Sequence, residues 1–117
     1  MAASDLSALR GPTLTKTVTL PATVGNVRAV ILPAWCAYLS VRLYQSDGTS
    51  ADAGYLSTEN SADDEAVDAD AWRIDSGEGL MGYPVADEAG FGPARTVYLA
   101  ADTASAKARL ILQRAAS

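Results

Sequence analysis

Residues 95–114 read RTVYLAADTASAKARLILQR, the most regular alternation in the chain. In its first part Val97 and Leu99 occupy alternate positions facing inward. In its second part Ala104, Ala106, Ala108, Leu110 and Leu112 alternate with Ser105, Lys107, Arg109, Ile111 and Gln113. A side-chain period of two belongs to a strand with one face on a core. The alanines make helix the rival for 104–115, because alanine is the best helix former. The unbroken alternation, and the strand before it, favour a strand. With Asp102-Thr103 as a tight connection, the two strands are expected to form a hairpin.

The same period recurs upstream. Residues 13–20 (TLTKTVTL) place Leu14, Val18 and Leu20 on one face and four threonines on the other, until Pro21 stops the ladder. Residues 27–32 (VRAVIL) form a second strand, with Val27, Ala29 and Ile31 on one side and Pro33 at its end. Residues 36–45 (CAYLSVRLYQ) point Leu39, Val41 and Leu43 one way and Tyr38, Ser40, Arg42 and Tyr44 the other. Asp47-Gly48 then suits a turn that needs positive φ. Residues 71–74 (AWRI) and 79–85 (GLMGYPV) are short strands, and 50–70 read as a long acidic loop with one apolar piece at 54–56. Residues 86–93 are turn-like. Seven short strands and no long amphipathic helix predict an all-β fold: a single-domain antiparallel β-sandwich or jelly-roll-like barrel spanning 13–117. Residues 1–12, ending in Gly11-Pro12, form a short N-terminal arm.

Composition narrows what such a domain can do. The 117 residues make one domain. Nearly half are hydrophobic, but 23 are alanine, so the core is modest and stability is expected to lean on a partner subunit. The absence of histidine excludes Ser–His and Cys–His triads, His-ligated zinc and a histidine pH switch. A net charge of −5 and scattered bases argue against nucleic acid as a partner. No apolar stretch is long enough to span a bilayer as a helix, and no leader pattern is read at the start, so the expected place of synthesis is a cytoplasm. The single cysteine, Cys36, has no internal disulfide partner and reads as a small buried hydrophobe.

Three motifs invite chemistry. Gly77-Glu78-Gly79-Leu80-Met81-Gly82 spells a dinucleotide-binding glycine pattern, yet Tyr83-Pro84 follows where a helix should begin. The acids Asp63, Asp64, Glu65, Asp68 and Asp70 can supply oxygens to calcium, but the EF-hand order and mid-loop glycine are missing. A solvated acidic surface is the favoured reading. Carboxylate pairs such as Asp75 and Glu78 are too common in an acid-rich chain to specify glycosidic chemistry. The expectation is therefore no enzyme, no catalytic residue, no cofactor and no metal site. The residues set aside for contact are Leu6 and Leu9 in the arm, with Trp35, Tyr38 and Tyr44 beside the third strand.

The alanine- and threonine-rich strands, the absent histidines, the arm 1–12 and the closing segment Val97–Ala100 with Thr103–Leu110 resemble small all-β accessory proteins of tailed-bacteriophage virions, especially head decoration or cement proteins. The resemblance is one of style and carries no site residue. It implies a non-enzymatic structural subunit of the virion, made in the host cytoplasm. Its implied partner is the major capsid protein or another virion protein, and it implies a homo-oligomer, dimer or trimer, with no nucleic acid and no membrane. The alternative expectation is a carbohydrate- or receptor-binding β module of tail or fibre type, using exposed Trp and Tyr and assisted by calcium at 63–70.

Overall fold

Wherever apolar residues alternate, the backbone is extended, and the computed structural model describes this for residues 3–10, 13–85 and 96–114. Among the described residues nine strands are formed: β1 (Ser4–Asp5), β2 (Thr13–Thr19), β3 (Arg28–Ile31), β4 (Cys36–Tyr44), β5 (Gly54–Ser57), β6 (Trp72–Ile74), β7 (Leu80–Pro84), β8 (Thr96–Ala101) and β9 (Lys107–Arg114). They make two sheets, one in the order β1-β3-β8-β5-β6 and the other β2-β9-β4-β7. The molecule is an all-β sandwich. Among the described residues the strand pairings are antiparallel except β1 with β3.

The core lies between the sheets. Val18, Leu39, Val41, Leu43, Leu110 and Leu112 meet Val30, Leu56, Ile74, Val97 and Leu99 from the opposite layer. Ala106 and Ala108 are also fully buried, so small side chains let the layers approach closely.

Two sequence expectations need correction. Residues 95–100 and 104–113 do not form a hairpin: β8 belongs to the five-stranded sheet and β9 to the four-stranded one. The connection runs over residues 102–106, with Ser105 at φ 53°, and carries the chain across the core. Alternation reports which face of a strand is buried; it says nothing about which neighbour the strand pairs with. Second, the loop reading of 50–70 misses β5, which lies between β8 and β6 and is buried on both sides. Gly54 and Ser57 are small and weak strand formers, so the propensity signal is faint.

The N-terminal segment 3–10 lies along the sandwich. Ser4 and Asp5 pair in parallel with Val30 and Ile31, and Leu6 N–H donates to the Ile31 carbonyl at 2.8 Å. At the other end of the same edge, the loop 58–71 arrives from β5. Val27 N–H donates to the Glu65 carbonyl, and Asp64 N–H to the Val27 carbonyl. Between them, the arm and the loop cover the β3 edge, which would otherwise be open to another strand. The anchor of this loop is Asp63. It accepts from Ala29 N–H at 2.7 Å and pairs with Arg28, whose guanidinium is 2% exposed and also donates to the Thr19 carbonyl.

Candidate interaction face

The two outer faces of the sandwich differ. On the five-stranded sheet, the outward positions Ala29, Ala100 and Ser57 are buried, Ile31, Tyr55, Thr96 and Tyr98 are half-buried, and the exposed Arg73 is paired with Asp102. On the four-stranded sheet the outer face is open. Register places Thr15 beside Ile111, Thr17 beside Arg109 and Thr19 beside Lys107 across β2 and β9. On the other side of β9, Tyr38 meets Gln113, Ser40 meets Ile111, Arg42 meets Arg109 and Tyr44 meets Lys107. A shallow depression of about 610 Å³ runs across this face, bordered by Lys16 and by Met81 of β7.

The side chains on it are held in place. The Arg109 guanidinium stacks on the Tyr44 ring at 4.8 Å and donates to the Gly48 carbonyl at 2.9 Å. Gly48 stands at φ 76° in the turn after β4, a conformation that glycine adopts without steric cost. Asp47 organises that turn by accepting from the N–H groups of Thr49 and Ser50 and from the Ser50 hydroxyl. Those bonds, with Ser50 N–H the largest contributor, lower its carboxyl to about 2. The Lys107 ammonium donates to the Thr19 hydroxyl at 3.0 Å. Ser40 is buried at a register shift between β4 and β7, where its hydroxyl accepts from Gly82 N–H and replaces a missing ladder bond.

The five residues set aside from the sequence divide into two groups. Tyr38, 42% exposed, and the half-buried Tyr44 lie on the open face. Leu6, Leu9 and Trp35 gather instead around the arm. Leu6 and Trp35 pack on the core, Trp35 Nε1 donates to the Leu9 carbonyl at 2.8 Å, and the Arg114 guanidinium stacks on the Trp35 ring. Met81, 69% exposed, and the pair Arg42–Arg109 were missed. A register map would have found the pair, but alternation within one strand cannot.

Cys36 is buried, and desolvation raises its thiol above the ordinary value. Gly77, Gly79 and Gly82 all have positive φ; the first two serve the connection from β6 to β7 and the third lies within β7, and no helix stands beside them among the described residues. In the acidic loop, Glu65 accepts from Ser61 N–H, Asn60 Nδ2 and Ala62 N–H, bonds that lower its carboxyl. Among the described residues no three acid, cysteine or histidine side chains converge to hold a metal ion. A second depression of about 430 Å³ lies beside Trp72, which is 67% exposed, with Tyr83, Leu56, Glu59 and Asp70 around it. Phe91 and the turn expected at 86–93 lie outside the described residues.

Compared with protein-family models, with curated proteins and with solved structures, the chain matches none of them.

Proposed function

We propose that this protein is a non-enzymatic structural subunit of a tailed-bacteriophage virion, docking on the head lattice and stabilising it by protein–protein contacts. The observation that carries this reading is the open outer face of the four-stranded sheet. It presents Tyr38, Tyr44, Arg42, Arg109, Met81 and Ile111 on a rigid ladder. Tyrosine, arginine and methionine are the residue types that protein interfaces favour. A preformed sheet loses little conformational entropy on docking, so more of the contact energy appears as affinity. The likeness of the sequence to decoration and cement proteins supplies the virion setting. The oligomer in this reading is a dimer or trimer, checked by sedimentation equilibrium. The direct test is cosedimentation with a purified capsid lattice. Pelleting with the lattice supports the reading, and protein left wholly in the supernatant overturns it.

The groove beside Trp72 favours a second reading as a carbohydrate-binding module. An exposed indole offers a flat face for a sugar ring, and Glu59 and Asp70 can accept from its hydroxyls. Binding on a glycan array that disappears in Trp72→Ala would support it over the first.

A further inference from the structure

The strands β2, β4, β7 and β9 contain five of the nine bases of the chain and none of its fourteen acids. Bases that look scattered along the sequence are therefore gathered into one sheet. On its outer face Arg42 and Arg109 are register partners, so two cationic side chains stand side by side on neighbouring strands. Like charges directly opposite in a ladder destabilise it. The chain has acids to place there, yet its ion pairs among the described residues are Arg28–Asp63 and Arg73–Asp102, neither on this face. The contacts that hold Arg109, a tyrosine ring and a carbonyl, orient its charge without neutralising it. Asp47, in the adjoining turn, is satisfied by its own loop.

We propose that this face docks a carboxylate-bearing protein surface. Arg42 and Arg109 pair with Asp or Glu side chains of the partner, while Tyr44, Met81 and Ile111 supply apolar contact. The inference rests on the reading of a protein that docks by protein contacts, and it names the chemistry of the partner. Guanidinium groups bind carboxylates in a planar, two-bonded geometry that an ammonium cannot match. A nucleic acid fits less well, because a phosphate backbone needs a broad basic field and this chain carries −5. A two-fold contact of the face with a second copy would set these arginines against themselves.

The test is a titration of the isotope-labelled full chain with a hexaglutamate peptide, followed by amide NMR, with a duplex DNA oligonucleotide in parallel. The expected result is shifts confined to β2, β4 and β9 around Arg42 and Arg109. They weaken at least about tenfold when salt is raised to about 0.5 M, where screening acts within a few Å. Arg42→Glu with Arg109→Glu abolishes them at unchanged circular dichroism, and Arg42→Gln with Arg109→Gln serves if the first pair fails to fold. Absent shifts, shifts elsewhere, shifts that survive the double substitution, or tighter binding of the DNA would overturn the proposal. The lattice experiment separates the two readings. If wild type and the double variant pellet equally with the lattice, docking stands and the acidic partner falls. If neither pellets but the peptide binds as expected, the capsid assignment falls and the acidic partner stands.

Discussion

At the scale of single residues, stability concentrates where a side chain has no room or no water. A Cβ at Gly54 would collide with the Ala100 carbonyl oxygen and lie 2.6 Å from Leu43 Cδ1. Gly54→Ala is therefore expected to cost at least about 2 kcal/mol, because β5 sits between two strands and cannot shift freely. Urea denaturation measures this directly. Asp63→Ala removes the carboxylate paired with the buried Arg28 and the acceptor of Ala29 N–H, and is expected to cost about 3 kcal/mol by the same measurement. Asp47 makes a pH prediction. Its carboxyl is lowered from 3.8 to about 2, so its contribution to the turn is present above the ordinary value and is lost as pH falls through the lowered one. The protection factors of the Thr49 and Ser50 amides, their exchange rates corrected for the intrinsic pH dependence, should fall as pH drops through that window and stay flat above it. Cys36 should react with a thiol reagent only after denaturant is added, because burial raises its thiol and blocks access.

At the scale of elements, the strands with long unbroken alternation are the legible ones. β2, β4 and β9 are visible because each sets a core face against a solvent face. β5 is not, since a strand buried on both sides loses alternation, and its neighbours on both sides are small or acidic. The pairing of strands is equally hidden. Nothing in β8 or β9 says that they part at Ser105 to join different sheets. The open face was legible in half: Tyr38 and Tyr44 point outward as alternation requires, whereas the meeting of Arg42 with Arg109 depends on register between segments far apart in sequence. The arm supplies this scale's prediction. Deleting residues 1–12 removes the β1–β3 pairing, the Leu6–Ile31 and Trp35–Leu9 hydrogen bonds and the packing of Leu6 on the core, a loss of about 3 kcal/mol. The sandwich should remain folded by circular dichroism. Its newly bare β3 edge should promote edge-to-edge association, visible in sedimentation velocity. An unfolded product would show that the segment belongs to the core.

At the scale of the whole molecule, β9 is the strand on which the four-stranded sheet depends, flanked by β2 on one side and β4 on the other. Leu110→Asp, at a position 1% exposed, should abolish folding, because it buries an unpaired charge in the middle of that sheet. Near wild-type melting would refute the packing described. The position of β9 also bears on biogenesis. Until residues 107–114 have cleared the ribosome, β2 has no partner and β4 has only β7, so the nascent chain displays threonine-rich and leucine-rich edges to its surroundings. Folding must wait for a late segment to slide between two early ones, a slow step for a topology so dominated by distant pairings. A chaperone that shields bare β edges would therefore find its natural moment in synthesis, before this sandwich closes.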